Sequence, residues 1–298
     1  MKKIIVIAGP TASGKTSLAV ALAKQLKSPV ISADSRQFYK EISIGTAKPT
    51  DEEMEGVPHY FIGSHSVEHP LSAGQYEKEA LKIVELLFQT HNTLIVVGGS
   101  GMYIDALIYG TDQLPHEPDV RAYWNYQFEE KGLLFLQEKL AALDPDYYAE
   151  MDTSNPVRLI RALEIIEITG KTYSSLRKQY RSTKRFDTHF FVIDYPREEL
   201  YERINQRVDI MVRNGLVEEV RANLKHRDLQ PLNTVGYKEI FEYLDDNISL
   251  ERAIELVKQN TRRYAKRQLT WLRKEQEAHW LVPDTQEKMI QFILSILQ

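Results

Sequence analysis

Apolar residues along this chain fall into short unbroken runs of strand length, separated by stretches where they recur every third or fourth position. The runs are Ile4 to Ala8, Val30 to Ala33, Thr93 to Val97 and Phe190 to Asp194. Leu18, Leu22 and Leu26 follow the first run at helical spacing. Tyr76, Ala80, Ile83 and Leu87 form a similar face before the third, behind a capping box of Ser72 and Gln75. Buried strands alternating with helices predict a parallel α/β sheet. Between Thr111 and about Thr188 the strand pattern stops, and segments such as Leu133 to Leu143 and Pro156 to Thr169 are helix-forming. Because Phe190 to Asp194 restores a strand afterwards, this stretch is expected to interrupt the core as an all-helical insertion. Beyond Pro196 the pattern is helical almost to the end, with Ser249 as N-cap of a long helix reaching about Lys274.

The first run leads directly into Gly9-Pro10-Thr11-Ala12-Ser13-Gly14-Lys15-Thr16, which matches G-x-x-x-x-G-K-[ST] between a strand and a helix. Such a loop turns successive backbone N–H groups inward at a helix N-terminus, so it holds linked phosphates whatever they carry. Lys15 would reach the phosphates and Thr16 would give its hydroxyl to Mg²⁺. The loop implies a diphosphate or triphosphate without choosing between them. The fold expected is α/β, a P-loop NTPase-like parallel sheet core of residues 1–112 and 189–298, with an all-helical subdomain inserted at 113–188 and a helical C-terminal region.

Nucleotide hydrolases of this type place a magnesium-binding Asp at the end of a second apolar strand. Thr93 to Val97 ends instead in Gly98-Gly99-Ser100-Gly101, with no carboxylate. Val30 to Ala33 ends in Asp34, at the sheet edge where ligands of open α/β folds bind. By spacing alone Asp34 reads equally as a metal ligand, a general base, or an N-cap over Ser35 to Tyr39.

Composition narrows the partners. The 298 residues suffice for a core and a smaller unit, and the absence of cysteine removes disulfides, thiolate metal sites and thiol nucleophiles. No run approaches the roughly 18 apolar residues of a membrane span, so no membrane association and a cytoplasmic location are expected. A net charge of −4 argues against a wholly polyanion-binding surface and leaves local patches. Residues 158–185 carry Arg158, Arg161, Lys171, Arg177, Lys178, Arg181, Lys184 and Arg185 against Glu164 and Glu167, and residues 258–274 carry seven basic residues and no acidic one. Each patch alone reads as a solvated helix face; two in an acidic chain point to a phosphate-rich partner.

The run from Ile31 to Pro49, I-S-A-D-S-R-Q-F-Y-K-E-I-S-I-G-T-A-K-P, resembles the signature of the tRNA dimethylallyltransferases. V-V-G-G-S-G-M-Y at Val96, R-A-L-E-I-I-E-I-T-G-K at Arg161, R-I-N-Q-R-V-D-I-M at Arg203, V-G-Y-K-E at Val235 and T-R-R-Y-A-K-R-Q-L-T-W-L-R at Thr261 resemble further blocks in family order, and the likeness spans essentially the whole chain. Three positions depart from it. Ser100 stands where threonine is usual and keeps the hydroxyl; Ser43 stands where an aspartate is usual and is assigned no role; the motif around Gly74 to Tyr76 differs.

The resemblance implies transfer of a dimethylallyl group from dimethylallyl diphosphate to the exocyclic N6 amine of adenosine 37 of tRNA, next to the anticodon, with release of diphosphate. Gly9 to Thr16 would then hold a leaving diphosphate, with Mg²⁺ at Thr16, Ser100 on the bridging oxygen and Arg207 gripping from the opposite side. Arg203 precedes Arg207 by one helical turn. An adenine amine is a weak nucleophile, and the resemblance assigns Asp34 as the base that takes its proton. Ser35, Arg36, Gln37 and Ser100 fall in the segment expected to meet tRNA, and Phe38 and Tyr39 are either stacking groups or core aromatics. Arg121, Arg158 and Arg161 would touch the anticodon stem from the insertion, and Lys266 and Arg267 from the C-terminal helix, where Tyr264 and Trp271 read as packing residues. No protein partner is implied, and a monomer is expected. The rival readings are a small-molecule kinase, an adenylate prenyltransferase and an RNA-binding module without activity.

Overall fold

The computed structural model describes residues 2–112, 114–177 and 183–297. Its elements run β1 (Lys3–Ala8), α1 (Lys15–Leu26), β2 (Val30–Ser32), α2 (Asp51–Met54), β3 (His59–Tyr60), α3 (Ala73–Leu87), β4 (Thr93–Gly98) and α4 (Gly101–Ile108). Then come α5 (Pro118–Leu143), α6 (Pro145–Glu150), α7 (Pro156–Thr169) and α8 (Tyr173–Leu176). The chain finishes with β5 (Asp187–Ile193), α9 (Arg197–Arg213), α10 (Leu216–Ala222), α11 (Tyr237–Leu244), α12 (Leu250–Leu272), β6 (Ala278–Leu281) and α13 (Gln286–Leu297).

Among the described residues the strands form one six-stranded parallel sheet in the order β3-β2-β4-β1-β5-β6. Its alternation of side chains explains the unbroken apolar runs. Ile4, Val6, Ala8, Val96 and Val192 join one core, beneath α3, α4 and the C-terminal helices, while Ile5, Ile7, Ile95, Phe191 and Ile193 join a second, beneath α1 and α13. Both faces are covered, so these strands are predominantly apolar. In register Val6 faces Val96 on one side and Phe190 on the other, which brings the carboxyl ends of β1, β2, β4 and β5 to one edge. After β1 the chain crosses β4 to form β2, and β5 lies on the other flank, so the loop after β1 sits where strand order reverses.

Several expectations change in detail. The last part of the chain is not wholly helical: β6 closes one sheet edge and β3 the other, and both are too short and too exposed to leave an apolar run. Ser35 to Tyr39 is not a helix: Ser35 to Phe38 form a turn, Tyr39 bridges to His65, and Asp34 accepts the N–H of Arg36 through Oδ1 at 3.2 Å, an Asx-type bond. Phe38 and Tyr39 are buried, in an aromatic cluster with Phe61, Tyr76 and Tyr103, so they belong to the core. Tyr76, in the motif that departs from the family pattern, donates its hydroxyl to the carbonyl of Ser32. The helix ends at Ser72 with Gln75 and at Ser249 are capped as the spacing predicts. Among the described residues no helix is long and apolar enough to cross a membrane.

By their internal contacts residues 1–110 with 184–298 form one unit and 111–183 another. The described part of the smaller unit is helical. Gly132, at φ 75° and ψ −175°, breaks α5 into two pieces, and Trp124, Leu136, Leu140, Leu159 and Leu163 make a core of its own. Asp144 is fully buried and caps α6 through Tyr147 N–H while also accepting from Ser174.

Gly98 ends β4 so close to β2 that a Cβ there would meet the backbone oxygen of Ala33 at 2.5 Å. Backbone on both sides leaves nothing flexible to yield. Gly98→Ala is expected to cost about 1–3 kcal/mol in denaturant unfolding, and a loss under a few tenths would contradict this packing.

Candidate functional site

The loop after β1 takes its shape from two left-handed residues, Ala12 at φ 65° and Gly14 at φ 78°, before α1 begins at Lys15. Lys15 is only 8% exposed, with Nζ 3.4 Å from the carbonyl oxygen of Pro10. Burial lowers its pKa; Asp34 pulls it back up and Arg207 pushes it down again, leaving it at about 8. Arg207 reaches in from α9 and donates to Thr11 Oγ1 at 3.3 Å. Burial lowers its pKa too, with Asp34 and Glu53 opposing and Arg203 adding to the fall. Arg203, one turn earlier, instead donates to the carbonyl of Ala12 at 2.9 Å and lies over the ring of Tyr195, so it braces the loop from behind.

Lys15, Thr16, Asp34, Gln37, Glu53 and Arg207 line a cavity of ≈ 150 Å³. A second cavity, ≈ 80 Å³, shares Asp34, Thr46 and Arg207 with the first and continues over Ile204, Val208, Met211 and Val257. A polar pocket in which Lys15 and Arg207 face Asp34 and Glu53 thus opens onto a more apolar one, and Asp34 stands at the junction. Thr16, Asp34 and Glu53 are among the oxygen donors of the first cavity. Among the described residues no cluster of three or more acidic or histidine side chains forms a metal cage, and two carboxylates with a hydroxyl fit an ion that relies on substrate phosphates for the rest of its shell.

Ser100 lies just beyond β4 and bridges to the segment after β2. Its Oγ accepts the N–H of Ser35 at 3.0 Å and lies 3.0 Å from Ser35 Oγ. Tyr264 from α12 faces the same group. Burial and the charge of Asp34 push its phenol up to about 12, against a hydrogen bond with Ser100.

The glycines around Ser100 have a role that their spacing did not disclose. A Cβ on Gly99 would meet the Gln268 amide, and one on Gly101 would strike the indole of Trp271. They are where α12 rests on the sheet edge. Gln268, 5% exposed, accepts the N–H of Thr11 at 2.9 Å and donates to the carbonyl of Gly99 at 2.9 Å. Thr11 therefore turns its amide toward α12, and its hydroxyl toward Arg207. Nothing in the sequence marks Gln268, which follows Lys266 and Arg267 in a run that reads as a solvated face.

A parallel arrangement fixes residues 43–46. Glu219 on α10 accepts the N–H groups of Ser43, Ile44 and Gly45 at 2.7, 2.8 and 2.9 Å, and also the Tyr237 hydroxyl. Ser43 thus contributes its backbone to this anchor.

The side chains expected to meet RNA divide into two groups. Arg36 donates to the carbonyls of Gln230 and Pro231, and Gln37 to those of Thr46 and Ala47, so both are engaged within the fold. Arg121 and Arg161 converge on Glu164, fully buried on α7, at 3.1 and 3.0 Å, with His116 Nδ1 at 2.5 Å from its other oxygen. Burial pushes the Glu164 carboxyl up, and the bonds from His116, Arg161 and Arg121 outweigh it and hold it below the usual range. Arg158, Lys266 and Arg267 are exposed. Lys178 and Arg181 lie outside the described residues.

Fold and site together define an α/β protein of the phosphate-loop class, with Lys15 and Arg207 at the loop and an apolar pocket beside it. The family model described as IPP transferase matches residues 37–275, and the chain belongs to that family. It is 46% identical over 298 residues to the tRNA dimethylallyltransferase of Cytophaga hutchinsonii, covering all of this chain and 98% of that one. Among solved structures it is similar to the full-length tRNA isopentenylpyrophosphate transferase of Bacillus halodurans, at 36% identity and a TM-score of 0.74, covering 100% of this chain and 96% of that one. A eukaryotic dimethylallyltransferase acting on tRNA matches at 28% identity and a TM-score of 0.79, over 95% of this chain and 74% of that one.

Two outcomes are expected from these charges. The unfolded chain holds a proton on Lys15 up to its usual pKa of 10.5 and the folded chain only to about 8, so Lys15 contributes to a stability that rises with pH between those values. Lys15→Met should therefore melt a few degrees higher than the parent at pH 7 while losing diphosphate binding, and an unchanged or lower melting temperature would contradict the burial of the charge. In the smaller unit, Glu164→Ala should cost about 2 kcal/mol at pH 7, seen as faster amide exchange in α5 and α7. That contribution is present above the unfolded carboxyl pKa and is lost as pH falls through the depressed folded value.

Proposed function

We propose that this chain transfers the dimethylallyl group of dimethylallyl diphosphate to N6 of adenosine 37 in tRNA, giving N6-dimethylallyladenosine and diphosphate. The observation that carries the reading is the meeting of the two cavities at Asp34: a cradle with Lys15 and Arg207 on one side, and an apolar pocket on the other. The similarity to tRNA dimethylallyltransferases along the full chain supports it.

In the reaction the adenine nitrogen forms a bond to the allylic carbon as the carbon–oxygen bond breaks. The electron pair leaves with the diphosphate, and the proton of the amine passes to Asp34. Charge accumulates on the leaving oxygens, so fixed donors there lower the barrier most. Lys15 and the loop amides receive the diphosphate, Arg207 closes over it, and Ser100 donates to the bridging oxygen once its hydroxyl turns from Ser35. Ile204, Val208, Met211 and Val257 keep water from the allylic carbon, which would otherwise be hydrolysed. Mg²⁺ would be held by Thr16, with Asp34 and Glu53 within the same cavity, and would neutralise part of the phosphate charge.

The exposed Arg158, Lys266 and Arg267 supply phosphate contacts that position the RNA, whereas Arg121 and Arg161 act through their pairing with Glu164. The enzyme works as a cytoplasmic monomer in this reading. A small-molecule kinase would instead consume ATP without RNA.

Labelled dimethylallyl diphosphate incubated with unmodified tRNA should yield labelled dimethylallyladenosine on digestion to nucleosides, and ATP turnover in its place would favour the kinase. Asp34→Ala should lower kcat by about 10²- to 10⁴-fold with tRNA binding retained, and near-normal turnover would remove Asp34 as the base. Arg158→Ala should weaken tRNA binding and reduce its salt slope by about 1.

A further inference from the structure

Three loops must hold station for this chemistry: Gly9 to Gly14, which cradles the leaving group, the turn after Asp34, and Gly98 to Gly101, which carries Ser100. The bond between Ser35 and Ser100 ties the second to the third. The first is tied to the third through Gln268, whose amide oxygen takes Thr11 N–H and whose amide nitrogen gives to Gly99 O, both at 2.9 Å. The amide is buried, and Gly99 lacks a Cβ where its nitrogen sits. A primary amide offers an acceptor to one backbone and a donor to another without charge and without depending on pH.

We propose that Gln268 is a positioning residue for prenyl transfer, setting the spacing between the phosphate loop and Ser100 so that the bridging oxygen of a seated diphosphate meets the Ser100 hydroxyl. The inference rests on the transferase reading above. Thr11 N–H, the first amide of the loop after the proline, is withdrawn from the phosphate by this bond. Gln268 therefore contributes little to holding diphosphate and much to where the carbon–oxygen bond lies as it breaks. It follows Lys266 and Arg267 directly on α12, so the helix that presents exposed cations also sets the loop spacing.

The test uses the full chain with Gln268→Met, which keeps the volume and removes both hydrogen bonds, and Gln268→Glu. Kinetics are measured with saturating tRNA, and inorganic diphosphate binding in Mg²⁺ by calorimetry. For Gln268→Met, kcat should fall by about 30- to 100-fold, while KM for dimethylallyl diphosphate and the diphosphate Kd stay within about threefold. A glutamate accepts from Thr11 but repels the carbonyl of Gly99 unless protonated, when its O–H replaces the lost donor. The ratio of kcat for Gln268→Glu to that of the parent should thus rise at least about fivefold as pH falls from roughly 8 to 6. Asp34, Lys15, Arg36, Arg207 and Tyr264 line the neighbouring cavities and titrate or carry charge in both proteins, so they largely cancel from the ratio.

A kcat within threefold of the parent in both variants, a ratio indifferent to pH, or a loss of kcat matched by an equal loss of diphosphate binding would overturn the proposal. Failure of both variants to fold would assign Gln268 to stability and overturn it as well. A parent protein that makes no dimethylallyladenosine would instead sink the transferase reading itself.

Discussion

Two buried cations facing one cavity set the terms for the rest of this molecule. Lys15 and Arg207 each lose part of their proton affinity to burial, and Asp34 is the counter-charge they share. Holding charges away from water is unfavourable unless they are paired, and Asp34 together with Glu53 supplies the opposite charge in the same cavity. The surrounding structure keeps that arrangement from relaxing. Arg203 pins the Ala12 carbonyl, Thr11 takes the Arg207 guanidinium, and the sheet beneath is covered on both faces. Donors fixed in advance at the leaving group avoid reorganisation during bond breaking, which is where such a site gains its rate.

The second requirement is close approach. Gly98, Gly99, Gly101 and Gly45 each stand where a side chain would strike a neighbour: the Ala33 backbone, Gln268, Trp271 and Tyr237. Two of those neighbours belong to α12 and one to α11, so the C-terminal helices lie directly on the sheet edge that carries the phosphate loop. Glu219 gathers three consecutive amides of residues 43–45, and Gln268 joins the first loop to the third. The carboxyl-terminal third of the chain thus acts as the frame that holds loops contributed by the amino-terminal third. A phosphate loop alone would bind phosphate; the frame decides what its other end faces.

Much of this was legible in the order of residues. β1, β2, β4 and β5 are buried on both faces and announce themselves as apolar runs, whereas β3 and β6 are two and four residues long at the sheet edges and leave no such trace. Asp34 is placed at the right edge by the apolar run before it; of its three readings the structure removes the helix N-cap, because a turn follows, and it sets the carboxylate in one cavity with Lys15 and Arg207. Arg161 and Glu164 are spaced to meet on one helix face, so a structural pairing was visible in principle. Arg121 joins them from a different helix, more than forty residues earlier, and nothing in its surroundings marks that meeting.

By itself the sequence determined the parallel sheet, the helical stretch between β4 and β5, and the phosphate loop, because these rest on local periodicity and on backbone geometry confined to eight residues. The tertiary structure alone decided which side chains share the cavity with that loop. Arg207, Glu53 and Gln268 arrive from three different helices or loops, and their charges and hydrogen bonds acquire meaning only once burial has removed the water between them. Hydrophobic patterning acts over a few residues and can be read in one dimension. Electrostatics at a buried site depends on distance and solvent exclusion, which exist only in three.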